Sequence, residues 1–145
     1  MKPNRIAGAV IATAVTLGGA AAQAGEITVK MLNRGEAGAM VFEPEFIRAE
    51  VGDTVRFVPT DKGHNAETIK GFLPDGAEPF TGKINEEIVV ELTEEGLYGI
   101  RCKPHFGLGM VALIQAGAPV NLDEVRDVTG PKRVKAKFAD WFGRL

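Results

Sequence analysis

The sequence has few of the residues that bind metals or form covalent cross-links. Among its 145 residues there are one cysteine, Cys102, and two histidines, His64 and His105. A single cysteine cannot form a disulfide within the chain. Two histidines are too few for the type 2 or trinuclear centre of a multicopper enzyme, so the sequence excludes such a centre within this chain.

Positive charge is also scarce. The chain has 17 Lys and Arg against 19 Asp and Glu, and its formal net charge is -2. Proteins that bind nucleic acid need a strong positive field, so we expect no nucleic-acid partner. The sequence also lacks a run of roughly 20 strongly apolar residues, so we expect no stable association with a membrane.

The first residues have the layout of a secretory signal. Lys2 and Arg5 precede an apolar stretch over residues 6–19, and Ala22-Gln23-Ala24 supplies small residues for cleavage. A membrane anchor is the alternative, but the stretch is short and rich in alanine and glycine. We predict a signal peptide over residues 1–24, a single domain over 25–145 and periplasmic localisation. Cleavage would change the formal net charge from -2 to -4.

Export limits the state of the lone thiol. A free cysteine in an oxidising compartment is at risk of oxidation or mispairing. Cys102 is therefore expected to be buried and inert, to link two chains, or to bind a metal.

The pattern from Glu26 to Ala116 is all-β. Short alternating or apolar runs are separated by turn residues, which favours a sandwich of two sheets with Greek-key connections. The predicted strands are Glu26–Met31, Phe46–Ala49, Thr54–Pro59, His64–Ile69, Glu87–Leu92, Leu97–Cys102 and Met110–Ala116.

After Pro119 the pattern becomes helical. Asn121 with Glu124 three residues later predicts an N-capped helix over about 121–127. A second helix is predicted over about 131–142, where apolar residues recur on one face. This apolar stripe consists of Val134, Phe138 and Trp141 and is expected to pack on the sandwich.

The most informative segment lies between the last two strands. Cys102, His105 and Met110 share one short loop punctuated by proline and glycine, with the spacing Cys-x2-His-x4-Met. A thiolate, two imidazoles and a thioether are the ligands of a blue-copper electron-transfer site. The remaining histidine, His64, supplies the second imidazole. We therefore predict one copper ion per chain, held by these four residues.

Each ligand also has an ordinary structural interpretation, because single Met, Cys and His residues are usually part of a core or hydrogen-bonded. A Cys-His hydrolase would leave Met110 unexplained. A copper storage or delivery protein would use the same soft ligands, but usually in more open sites, and it remains the alternative function. Zinc could occupy the ligands, although a thioether argues against it as the native metal.

These residues resemble those of the cupredoxins, the type 1 blue copper proteins, and among them the pseudoazurins. The similarity extends over essentially the whole chain after the signal. Beyond the ligands it includes Met31-Leu32-Asn33, Gly38–Pro44, Gly52–Val55, Asp61–Asn65, Lys83-Ile84-Asn85 and the two C-terminal helices. The short ligand loop alone would also fit plastocyanins, whose chains generally lack the helical tail.

The resemblance implies a Greek-key sandwich with two packed helices and a soluble one-electron carrier, not an enzyme. It implies transient redox partners such as a periplasmic copper nitrite reductase or a c-type cytochrome, and a monomer suits such a carrier. It places Asn65 and Pro104 next to the ligands, with Asn65 tying the two ligand segments together.

Three residues depart from the family pattern: Lys103, Phe106 and Leu108. The family often has a hydroxyl residue at the first position, and lysine has no acceptor with which to replace it. The tie through Asn65 is therefore not expected to form in the usual way. A cation beside the thiolate should also favour Cu(I).

A surface for partner docking is expected around the edge of the His105 ring. Its apolar candidates are Met40, Pro104, Phe106, Gly107 and Leu108. A cationic collar that attracts acidic partners is expected around it, and scattered solvated charge is the alternative. The candidates for the collar are Arg34, Lys62, Lys70, Arg101 and Lys103.

Overall fold

The structure is a computed structural model that describes residues 23–145. Most of the predicted signal peptide, residues 1–22, lies outside the described residues. The rest of the chain forms strands joined by short turns and ends in two helices. The strands are β1 (Glu26–Gly35), β2 (Gly38–Glu43), β3 (Phe46–Ala49), β4 (Thr54–Val58), β5 (Glu67–Thr68), β6 (Ile88–Glu91), β7 (Gly96–Arg101) and β8 (Val111–Ala116).

The strands form two sheets, each with four members. The first has the order β2-β1-β4-β6 and the second the order β3-β8-β7-β5. Two of the pairings, β1 with β4 and β3 with β8, are parallel, because the chain crosses between the sheets. The predicted all-β Greek-key sandwich is confirmed.

The two helices cover the outer face of the second sheet. They are α1 (Leu122–Val125) and α2 (Lys132–Phe142). As predicted, Val134, Phe138 and Trp141 are buried in one apolar cluster with residues of β7 and β8. Within residues 23–145, neither helix has the length and apolar character needed to cross a membrane.

Alternation along β7 and β8 decides which residues face the interior. In a strand, successive side chains point to opposite faces. Leu97 and Val111 belong to the cluster under the helices, whereas Ile100 and Ala112 belong to the core between the sheets. Cys102 and Met110 continue this inner set, and both are fully buried in the same core. The strand pattern therefore directs both sulfur atoms into the sandwich.

Three strands differ from the prediction. β1 continues to Gly35, four residues beyond its predicted end at Met31. β2 was not predicted, because polar and apolar residues do not alternate regularly along it. Two of its residues, Gly38 (φ 127°) and Met40 (φ 52°), have a left-handed backbone. β5 has only two of the predicted six residues. Backbone groups of His64 and Ala66 bond instead to Asn85 and Gly82, so they do not join the β5–β7 ladder.

Asn121 is the N-cap of α1, as predicted, but α1 is only four residues long and the Asn121 side chain makes no cap hydrogen bond. Its Oδ1 accepts from the Leu97 amide at 2.7 Å, and its Nδ2 donates to the Leu97 carbonyl at 3.1 Å. Two buried backbone groups at the start of β7 thus compete successfully for the amide. α2 begins one residue later than predicted, after Pro131.

Candidate metal centre

The loop between β7 and β8 holds three of the predicted ligands, and its own hydrogen bonds fix its shape. The Cys102 amide donates to the Met110 carbonyl at 3.0 Å, which closes the loop at its base. A single 3-10 turn over Phe106–Leu108 follows His105 and ends at Gly109, whose φ is 86°. A side chain at Gly109 would be strained at this φ and would come within 3.1 Å of the Arg133 Cβ. Helix α2 therefore packs closely against the loop.

A second segment brings His64 to the loop. The Asp61 carboxylate accepts from the Asn33 amide at 2.7 Å, which holds this segment to the end of β1. Asn85 holds this segment from the other side. Its side-chain Oδ1 accepts from the backbone amide of Gly63 at 2.6 Å, and its backbone amide donates to the His64 carbonyl at 2.9 Å. These contacts fix the backbone on both sides of His64.

The predicted donor atoms of His64, Cys102 and His105 converge. The two Nδ1 atoms lie 3.1 Å apart, and the Cys102 sulfur lies 3.8 Å from Nδ1 of His64 and 3.6 Å from Nδ1 of His105. Metal–nitrogen and metal–sulfur bonds of about 2.0 and 2.3 Å, meeting at about 100–125°, place such atoms about 3.1–3.8 Å apart. The three donors therefore fit one transition-metal ion.

Met110 is fully buried on the same loop as two of these donors. Its amide donates to the His105 carbonyl at 3.2 Å, which holds its backbone against that ligand residue. A soft thioether in such a place suits copper better than zinc, calcium or magnesium.

Asn33 controls which nitrogen of His64 faces the cluster. Its Oδ1 lies 2.8 Å from Nε2 of His64. An amide oxygen can only accept, so Nε2 carries the proton and donates. Nδ1, on the cluster side, is then left with its lone pair free for a metal.

Burial affects the protonation of His64 and Cys102 before any metal binds. Burial and the neighbouring His105 lower the pKa of His64, and Asp61 partly opposes them. Burial raises the pKa of the Cys102 thiol, although hydrogen bonds from the backbone amides of Asn65 and His105 act against it and Glu67 adds to it. At neutral pH we therefore expect a neutral imidazole and a protonated thiol in the metal-free protein.

The tie through Asn65 is present, contrary to the expectation from Lys103. The Asn65 Oδ1 accepts from the backbone amide of Lys103 at 2.8 Å. A backbone donor does not depend on the side chain at position 103, so the lysine does not break the link between the two ligand segments. Pro104, the other predicted neighbour, lies exposed on the loop.

The apolar docking candidates occupy different environments. Leu108 is 51% exposed, whereas Met40 and Phe106 are half-buried, and both are packed against core residues. His105 is also half-buried, in contrast to the fully buried His64. Ile84, next to Asn85, is 45% exposed and was not among the candidates.

The collar candidates divide into two groups. Arg34, Lys62, Lys70 and Lys103 are exposed, and no hydrogen bond or ion pair of their side chains is found within residues 23–145. Arg101 is different, because it pairs with the buried Glu67 at 2.7 Å and lies over the Phe106 ring at 5.4 Å. The sequence had suggested that Arg101 is a free surface charge, whereas in the structure its charge is paired.

Sequence reasoning assigned no role to Asn33, Asn85 or Glu67. The first two stood only in segments shared with the cupredoxins, and nothing local marked Glu67 as buried. Each bonds to residues more than twenty positions away in the chain, which a linear pattern does not reveal.

Comparisons with known proteins agree with this geometry. Residues 29–117 match the model of a family described as copper binding proteins, plastocyanin/azurin family. A pseudoazurin from Paracoccus pantotrophus is 57% identical over 111 residues, which span 76% of this chain and 77% of the relative. A pseudoazurin from Methylorubrum extorquens is 44% identical over 93% of this chain and 90% of its own length.

Solved structures are similar as well. The crystal structure of pseudoazurin from Methylobacterium extorquens AM1 superposes with a TM-score of 0.79 at 44% identity, covering 82% of this chain and 98% of that one. A pseudoazurin structure from Sinorhizobium gives a TM-score of 0.77 at 48% identity, with coverage of 80% and 92%.

Proposed function

The chain belongs to the plastocyanin/azurin family of copper-binding proteins, and within it to the pseudoazurins, and from this we propose that it is a soluble periplasmic carrier of single electrons. It is not an enzyme, in keeping with its family. The observation that carries the proposal is the convergence of two imidazole nitrogens and one thiol sulfur within 4.8 Å of one another.

His64, Cys102, His105 and Met110 would hold one copper ion. Bound copper would supply a centre that changes between Cu(I) and Cu(II) by one electron. The chain's contribution is rigidity. Asn33, Asn85 and the loop's own backbone bonds hold the ligands in place, so little rearrangement is needed between the two oxidation states.

A copper storage or delivery protein remains the alternative. Such a protein must release its metal readily, which suits an open site. Here His64, Cys102 and Met110 are all fully buried. This enclosure supports a resident ion and favours electron transfer.

Electrons would pass through the half-exposed ring of His105. Leu108 and Pro104 expose apolar surface beside it on the ligand loop, with Phe106 and Met40 half-buried. An apolar surface lets the redox centre of a partner approach closely without trapping bound water. Partner docking at this surface would be transient, and the carrier would diffuse as a monomer.

The exposed cations Arg34, Lys62, Lys70 and Lys103 would attract acidic partners, such as a periplasmic copper nitrite reductase or a c-type cytochrome.

The signal peptide over residues 1–24 would deliver the domain over 25–145 to the periplasm, where it would acquire copper. The twin-arginine pathway is not indicated, because no arginine pair precedes the apolar stretch.

Electron transfer from the reduced, copper-loaded protein to a copper nitrite reductase tests the proposal. Stopped-flow rates should fall as the salt concentration rises, because the collar is screened. Leu108→Asp should slow transfer while leaving the visible spectrum unchanged, and Val120→Asp, at another exposed apolar residue, serves as its control. A copper-loaded protein that exchanged no electrons with a reductase or a cytochrome would contradict the proposed function. Rates indifferent to salt would contradict the collar.

A further inference from the structure

Glu67 is a buried carboxylate beside the candidate metal centre. Its side chain is only 6% exposed, and it lies directly opposite Arg101 where β5 pairs with β7. Nε of Arg101 donates to Glu67 Oε1 at 2.8 Å, and a second guanidinium nitrogen lies 2.7 Å from the same oxygen. A buried charge is rarely retained unless it is paired and hydrogen-bonded in this way.

The other oxygen of Glu67 bonds to Asn65, the residue after the ligand His64. Its Oε2 accepts from Nδ2 of Asn65 at 3.1 Å, and the same Nδ2 also donates to the Gly82 carbonyl at 3.0 Å. These bonds fix the orientation of the Asn65 amide, which leaves Oδ1 facing the Lys103 amide.

Arg101 reaches the ligand loop by a second route. Its guanidinium lies over the ring of Phe106 at 5.4 Å, and Phe106 directly follows the ligand His105. A planar guanidinium can stack on a ring and pair with a carboxylate at the same time, which an ammonium group does less well. Arg101 thus contacts one residue of the loop and, through Glu67 and Asn65, holds another.

We propose that Glu67 and Arg101 are positioning residues for the Cys102 ligand, acting through Asn65 and Phe106, and that Arg101 is not part of the docking collar. This inference rests on the proposed copper site. The ion pair keeps the Asn65 side chain in the orientation that bonds to the Lys103 amide, directly after the thiolate. Because Asn65 directly follows His64, this bond links the His64 segment to the ligand loop. Without the pair, the two ligand segments lose part of their connection.

The test compares Arg101→Gln, Glu67→Gln and the double variant with Lys62→Gln. Lys62 is exposed and near His64 in sequence, so its variant removes one positive charge without touching the network. The double variant leaves neither charge unpaired in the interior, so it keeps the test open if a single variant fails to fold. Two readouts are used: hydrogen exchange of the Lys103 amide in the metal-free protein, and the copper hyperfine splitting in the paramagnetic-resonance spectrum of the loaded protein.

Arg101→Gln, Glu67→Gln and the double variant should each raise the exchange rate of the Lys103 amide roughly five- to tenfold, as the loss of one hydrogen bond would. Each should also change the hyperfine splitting, whereas Lys62→Gln should change neither. Arg101→Lys, which keeps the charge, should restore part of the protection. If Arg101→Gln and the double variant match Lys62→Gln in both readouts, the inference is overturned. Because exchange is measured without metal, that result would not contradict copper binding at the site. Wild-type protein that binds no copper would instead overturn the proposed function.

Discussion

Asn33→Ala is expected to weaken copper binding without unfolding the protein. The substitution removes the acceptor that lies 2.8 Å from Nε2 of His64. The imidazole is then free to rotate or to carry its proton on Nδ1, and either change must be reversed before a metal can bind. The backbone amide of residue 33, which donates to Asp61, is retained, so the segment itself stays in place.

The magnitude follows from the kind of contact that is lost. Removing the hydrogen-bond partner of a ligating histidine typically costs ~10–100-fold in metal affinity, equivalent to about 1.4–2.7 kcal/mol. Asn33 is exposed, so water can replace part of the bond and we expect the lower end of this range. Asn33→Asp keeps an acceptor at the same position and should bind copper at least as tightly as the wild type does.

Competition with a chromophoric Cu(I) chelator measures the affinity. Arg34→Ala is the matched control, because Arg34 is the exposed neighbour of Asn33 on β1, and the side-chain hydrogen bonds of His64 within residues 23–145 do not include it. It should leave the affinity unchanged. An affinity for Asn33→Ala within about twofold of the wild type would refute the claim that Asn33 orients His64.

Three further outcomes are expected. Binding of one Zn²⁺ to the metal-free protein at neutral pH should release about one proton, because the pKa of the Cys102 thiol is raised while that of His64 is lowered. Calorimetry in buffers of different ionisation enthalpy measures the number of protons released. Binding without proton release would contradict this prediction. Lys103→Thr should lower the reduction potential, since a cation beside the thiolate favours Cu(I); potentiometry that shows a rise or no change would reject this. Asn121→Ala should lower the free energy of unfolding by roughly 1–3 kcal/mol, because two buried backbone groups of Leu97 lose their partner; urea unfolding with a loss below about 0.5 kcal/mol would argue against it.

The parts of the site that lie within one stretch of sequence could be predicted from it. The Cys-x2-His-x4-Met spacing on a loop between two strands predicted that Cys102, His105 and Met110 would lie together, and all three belong to the hairpin of β7 and β8. Strand alternation carries two of them into the core. His64 followed because no other histidine was left in the chain.

The supporting contacts could not be predicted, because their partners are distant in sequence. Asn33 bonds to a residue 31 positions away, and Arg101 to one 34 positions away. Arg101 was taken for a docking charge because its local sequence does not show that a buried carboxylate lies opposite it. The Asn121 signal located the start of α1, but the bonding of its side chain was missed for the same reason: Leu97, 24 residues upstream, forms two hydrogen bonds with the side-chain amide.

The most direct test of a closed thiolate–copper site is the visible and paramagnetic-resonance spectrum after Cu(II) is added to the metal-free protein, with free thiol titrated in parallel. The site predicts one copper per chain, an intense blue colour from bonding of copper to the Cys102 sulfur, and loss of the titratable thiol. Cys102→Ala should abolish the colour. A wild-type sample that stays colourless while a full equivalent of thiol still titrates would contradict the account.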